Sequence, residues 1–96
     1  MTPDGPGGPP ELVVYGAPDC SLCEPAKRTV RAVAGRLGIA VREVDISADA
    51  ALEARYREHI PVVTVDGETA FTYHVSPTLL ERRLRDAQAR RAGTPS

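Results

Sequence analysis

Apolar positions fall along the chain in short blocks separated by glycine, proline and aspartate, and the period changes from block to block. Leu12-Val13-Val14-Tyr15 is a run of β-branched and aromatic side chains that Gly16, Pro18 and Asp19 break. Residues 11–15 are therefore predicted as a buried strand that empties into a tight turn. From Leu22 the period lengthens: Leu22, Ala26, Val30, Val33 and Leu37 recur at steps of four or three. That stripe predicts an amphipathic helix over residues 21–37, with Pro25 in its first turn and Gly38 placed to close it in a left-handed conformation. Ile39, Val41, Val44 and Ile46 suggest a second strand over residues 39–46, parallel to the first if the connection is right-handed.

Ser47 and Asp49 offer an N-cap and a first-turn acid for a second helix, residues 49–58, with Ala50, Ala51, Leu52, Ala54 and Tyr56 as its apolar side. His59-Ile60-Pro61 ends it, because proline disfavours helical backbone in the residue before it. Asp66-Gly67 then separates two β-rich runs, residues 62–65 and 69–74, a strong signal for an antiparallel hairpin. Ser76-Pro77 opens a third helix over residues 77–89, with Leu80, Leu84 and Ala87 on one face and Glu81, Arg82, Arg83 and Arg85 on the other. The order β-α-β-α-β-β-α predicts an α/β layer fold with helices on both faces of a mixed sheet. Residues 1–10 carry proline or glycine at seven of ten positions. They are expected to be a disordered tail, with residues 11–89 as the domain and 90–96 as a second tail.

Composition narrows what this domain does. The 96 residues carry a net charge of −1 with acids and bases nearly balanced, so neither nucleic acid nor an anionic membrane is an expected partner. No apolar run approaches the ~20 residues of a membrane span. The N-terminal stretch lacks the basic and apolar regions of a secretory signal, so a reducing cytoplasm is the expected location and a monomer the expected state. In that compartment a lone cysteine pair is more often catalytic or metal-binding than structural.

Both cysteines, Cys20 and Cys23, fall where the first strand hands over to a helix. The spacing lets the sulfurs come within bonding distance on one helical turn. Unpaired backbone N–H groups and the helix dipole there favour a thiolate. Cys20 is the expected nucleophile, and Cys23, deeper, the thiol that resolves a mixed disulfide. Three readings share the pair: dithiol redox chemistry, a metal site, and two buried structural cysteines. Redox chemistry leads because the motif opens a βαβ unit. A metal site lacks a second ligand pair, since His59 and His74 do not match zinc-finger spacing. Asp19 and Glu24 flank the motif with negative charge, from which a weakly acidified Cys20 and a reducing, thioredoxin-like pair are expected. Lys27, Arg28, Arg31 and Arg36 read as the wet face of the first helix. His59 and His74 read as solvated element ends, and Tyr15 and Tyr73 as strand packing.

The stretch LVVYGAPDCSLC, the pair Ile60-Pro61 ahead of Val62-Val63, and the Asp66-Gly67 hairpin together resemble the thioredoxin superfamily, and within it the small glutaredoxin-like proteins. The likeness spans about residues 11–88. It implies a thioredoxin-like fold with a four-stranded sheet ordered 2-1-3-4 and a cis peptide at Ile60-Pro61 beside the cysteines. It also implies a thiol–disulfide oxidoreductase acting on disulfide-containing proteins or glutathione mixed disulfides. Such an enzyme binds no cofactor and is recycled by an external reductant, glutathione or a thioredoxin-reductase-type system. Ile60 and Pro61 are the implied substrate contacts, and Ser76 at the third helix N-terminus is a further candidate for holding a carboxylate. The chain departs from glutaredoxins in three places. Ser21-Leu22 stands for Pro-Tyr, no basic residue precedes Cys20, and Tyr73-His74-Val75-Ser76-Pro77 replaces a glycine pair followed by an acid. The sequence therefore does not by itself call for glutathione. The alternative from another class is a non-enzymatic redox-sensing or protein-binding module on the same fold.

Overall fold

The computed structural model describes residues 9–91, so most of the tail expected over residues 1–10, and all but the first two of the residues expected to fray at 90–96, lie outside the described residues. Strands β1 (Leu12–Gly16), β2 (Val41–Asp45), β3 (Val62–Val65) and β4 (Glu68–Thr72) and helices α1 (Cys23–Leu37), α2 (Ala50–Tyr56) and α3 (Pro77–Arg91) follow in the order β1-α1-β2-α2-β3-β4-α3. The sheet order is β2-β1-β3-β4, with β1 parallel to β2 and antiparallel to β3, and β4 antiparallel to β3. The thioredoxin-like α/β architecture read from the sequence is the one observed.

Period-two alternation along β1 and β3 sends side chains to opposite faces of the sheet. Leu12, Val14, Val63 and Val65 pack with Val30, Val33 and Ala34 of α1 and Leu80, Leu84 and Ala87 of α3 in one buried cluster. On the other face Tyr15 and Val62 meet Ile46 and the α2 residues Leu52 and Tyr56, with the Tyr15 and Tyr56 rings stacked at 4.6 Å. Cys23 and Ile60 belong to this second cluster. The cysteine pair thus lies at the end of the central strand, where the two cores approach each other.

Local chemistry explains where the elements stop. Helix α1 begins at Cys23, two residues later than the apolar stripe suggests. Pro25 has no N–H to give the Ser21 carbonyl and would clash with it, so the first i→i−4 bond is Ala26 N–H to Leu22 C=O at 3.2 Å. Pro25 thus sets the start of the helix. Gly38 (φ 70°) closes α1, with Ile39 N–H bonded to Ala34 C=O and Gly38 N–H to Gly35 C=O, a Schellman motif. Asp49, not Ser47, caps α2 by accepting from the N–H groups of Ala51 and Leu52; Ser47 lies in a preceding 3₁₀ turn that Asp45 caps. That turn ends β2 at Asp45. Asp66 (φ 52°) and Gly67 (φ 84°) both take the positive φ of a type I′ hairpin turn. Strand β4 stops at Thr72 because Tyr73 turns left-handed (φ 68°) and His74 N–H bonds back to Thr72 C=O. Helix α3 runs to Arg91, past the expected residue 89, and the Arg91 guanidinium grips the Asp66 carboxylate at 2.8 Å.

Candidate active site at the end of the central strand

Two successive turns carry the chain from β1 into α1. Cys20 N–H bonds the Ala17 carbonyl and Cys23 N–H bonds the Cys20 carbonyl, each at 3.3 Å. The cysteines therefore do not share the first turn of the helix as the spacing suggests. Cys20 lies in the turn ahead of α1, half-buried, and Cys23 is the first helical residue, 1% exposed. No disulfide joins them, and the Cys20 thiol is near enough to act on Cys23. Burial in the second core cluster pushes the Cys23 thiol up to about 11, and the neighbouring Cys20 thiol adds to this; the Ala17 N–H and the Lys27 ammonium pull the other way. The geometry separates an accessible sulfur from one that keeps its proton.

Gly16 makes room for this arrangement. A Cβ there would meet the Cys23 sulfur at 2.9 Å and the Cys23 Cβ at 3.3 Å, so β1 approaches α1 at a distance only glycine allows. Its role as a strand breaker is legible in the sequence; its role as the floor beneath Cys23 is not.

The Ile60–Pro61 peptide is cis, and both residues are buried. Ile60 packs in the same cluster as Ala17 and Cys23, with Cys20 against its edge. Neither the N–H nor the carbonyl of Ile60 has a hydrogen-bond partner among the described residues. Cys20, Cys23, Ile60 and Pro61 are thus brought together. Ser76 is engaged at its own helix end: its Oγ accepts from Leu79 N–H at 3.2 Å and caps α3. A cleft of about 120 Å³ runs from Leu22, Pro25 and Thr29 of the motif side to Tyr73, His74 and Val75 ahead of α3. A larger concavity, about 610 Å³, follows the outer side of α2 by Glu53, Arg57 and His59, and neither cysteine lines it.

Tyr73 is not strand packing. It is 43% exposed, donates its hydroxyl to the Glu58 carbonyl at 2.7 Å and its N–H to the Pro61 carbonyl at 2.9 Å, and so ties the end of β4 to the Pro61 loop. Nothing in the sequence signals the left-handed backbone that permits this. His59 is exposed and faces the Tyr73 ring at 6.4 Å. The basic cluster on α1 is also largely committed: Arg31 forks onto Glu43 of β2 and Arg36 bonds Glu81 of α3. Of the two acids beside the cysteines, Asp19 is paired with Arg57 at 3.1 Å and Glu24 with Lys27 at 3.6 Å. Among the described residues no group of three or more His, Cys, Asp or Glu side chains is placed to hold a metal ion, and no helix is long and apolar enough to cross a membrane.

Comparison with known proteins bears on the whole domain. Residues 11–87 match the family described as Glutaredoxin-like domain (DUF836). The solution structure of protein Ne2328 from Nitrosomonas europaea is similar at 23% identity and a TM-score of 0.67, over 79% of this chain and 92% of that one. The crystal structure of target protein XcR50 from X. campestris is similar at 29% identity and a TM-score of 0.64, over 78% of this chain and 96% of that one. A mutant thioredoxin from Halobacterium salinarum shares the fold at 22% identity and a TM-score of 0.59, over 80% of this chain and 73% of that one. No curated protein sequence matches the chain.

Proposed function

The chain belongs to the glutaredoxin-like domain (DUF836) family, and from that premise we propose that it is a thiol–disulfide oxidoreductase. The observation that carries the reading is the asymmetry of the pair: a half-buried Cys20 ahead of the helix and a fully buried Cys23 whose thiol is pushed up by burial. Cys20 stands ahead of the N-terminal end of α1. The Cys20 thiolate attacks a substrate disulfide; one substrate sulfur leaves with the electron pair and takes a proton, and the other stays bound to Cys20. Cys23 then loses its proton and attacks the Cys20 sulfur. This releases the second substrate thiol and leaves an internal Cys20–Cys23 disulfide. An external dithiol or glutathione system returns the two electrons, and no resident cofactor takes part.

Ile60 packs beside the pair and the buried Pro61 fixes its backbone, so that the unpaired N–H and carbonyl of Ile60 are the groups proposed to meet an extended substrate backbone. Substrates are disulfide-containing proteins or glutathione mixed disulfides, and the protein works as a monomer in the reducing cytoplasm. A coupled assay with insulin or a glutathione mixed disulfide tests the reading. Turnover is expected in the native protein and absent in Cys20→Ser, while Cys23→Ser accumulates a covalent adduct on Cys20. A native protein that is oxidised once and does not turn over with either reductant refutes it in favour of a redox-sensing module.

A further inference from the structure

Cys23 has to lose a proton inside the core for the second step to run, and the fold brings one cation toward it. Lys27 lies four residues beyond Cys23 on α1, so the two side chains share a helix face. The point that a Cβ on Gly16 would occupy is 2.9 Å from the Cys23 sulfur and 3.7 Å from Lys27 Cε, which brings both side chains over the same glycine. The Lys27 side chain is only 20% exposed. An ordinary surface lysine extends its ammonium into water; this one is laid back over the end of β1.

We propose that Lys27 is a positioning residue for the resolving step, its ammonium stabilising the Cys23 thiolate as it forms to attack the Cys20 mixed disulfide. The inference rests on the oxidoreductase reading and deepens it. The balance is that of ordinary thiol–disulfide exchange: the Cys23–Cys20 bond forms, the Cys20–substrate bond breaks, and the electron pair leaves on the substrate sulfur. The proton of Cys23 passes to solvent. The substrate disulfide is the oxidant. Three groups act on Cys23: the Cys20 thiol raises its proton affinity, and the Ala17 N–H and Lys27 lower it. Facing Lys27 are Glu24, whose carboxylate lies 3.6 Å from its Nζ, and at longer range two acids of β2. These are Glu43, held below the usual range chiefly by Arg31, and Asp45, held there chiefly by Ser47, with the Lys27 ammonium adding a little to both. Acids from two elements therefore flank the ammonium while its stem lies over the strand end, on the same glycine as the sulfur.

The test is rapid mixing of the reduced protein with one equivalent of 5,5′-dithiobis(2-nitrobenzoate). Attack by Cys20 releases a first thionitrobenzoate and resolution by Cys23 a second, so the steps are read separately. In Lys27→Met the second phase is expected to slow about tenfold, the order of one elementary charge at partly buried distance, while the first stays within about twofold. The second-phase pH profile should move to higher pH in Lys27→Met and return in Lys27→Arg. Thermal melts of each variant establish that it is folded. A second phase unchanged in Lys27→Met, or slowed equally in Lys27→Arg, overturns the role of the charge and leaves the oxidoreductase reading standing. A wild-type protein with no second phase at all overturns that reading itself.

Discussion

Replacing Gly16 by alanine is the sharpest probe of how the strand and the cysteine helix fit together. Gly16 sits in the extended backbone of β1, so alanine brings no left-handed strain and would by itself add about 0.4–1 kcal/mol by restricting the unfolded chain. Against this stands the new Cβ, 2.9 Å from the Cys23 sulfur, well inside the roughly 3.5–4.0 Å of a favourable contact. The strand cannot retreat, because β1 is hydrogen-bonded to β2 on one side and β3 on the other. Cys23 must rotate or the start of α1 must lift, and overpacking of this kind costs about 1–3 kcal/mol. The net loss is about 1 kcal/mol, a fall in Tm of about 4–8 °C for a domain of this size. A double-mutant cycle with Cys23→Ala isolates the cause. With the sulfur gone the nearest contact is the Cys23 Cβ at 3.3 Å, so the alanine at 16 should cost about 1 kcal/mol less in that background. Urea titrations of the four reduced proteins measure it. Equal costs in both backgrounds, or a Gly16→Ala protein more stable than the native one, would refute the close approach.

Two further outcomes follow from groups whose titration the fold perturbs. The Cys23 thiol is raised by burial from 9.0 to about 11, so its contribution to the stability of the reduced protein is fully present below pH 9 and is lost as pH rises through about 11. The melting temperature of reduced protein should fall across that window more than that of Cys23→Ser, and parallel curves would contradict it. Asp66 is held below the usual carboxylate range by Arg91, and it also accepts from Glu11 N–H at 2.9 Å, joining the hairpin turn to both ends of the domain. Asp66→Ala should cost about 1–2 kcal/mol in denaturant melts. The depressed group stabilises above the ordinary aspartate range and loses its contribution as pH falls through its lowered pKa, so Asp66→Asn should flatten the acid limb of the stability profile.

The order of elements is legible because each block of sequence keeps one period, and the central runs are long enough to fix strand or helix. Leu12–Tyr15, the α1 stripe and the Asp66-Gly67 turn each state their structure locally. What is not legible depends on partners distant along the chain or on the exact tilt of a face. Periodicity assigns Lys27 to the wet side of α1, yet the helix is rolled so that this side chain lies over Gly16. Asp19 looks like an uncompensated charge because its partner, Arg57, comes from the end of α2, thirty-eight residues on. Tyr73 looks like a strand residue because alternation carries no sign of the left-handed turn that ends β4. The Cys20–Cys23 motif itself is plain, but the two-residue delay of α1 set by Pro25 is needed to see that the sulfurs differ in depth.

That difference in depth, more than the flanking charges, distinguishes the two cysteines. Asp19 and Glu24 are 72% and 65% exposed and each has a cation beside it. Exposed pairs of this kind are worth about 0–1 kcal/mol and weaken further with salt, so neither acid can impose a strong bias on the sulfurs. Burial acts on Cys23 without such screening and is the largest influence raising its thiol. One sulfur is in the turn and the other is sealed by Ala17, Ile46, Ile60 and Val62, so in the proposed reaction Cys20 is the sulfur within reach whatever the local charge. Cys23 lies beneath, its backbone held against Cys20 by the 3.3 Å turn bond, so that the order of the two attacks proposed above would be a consequence of packing.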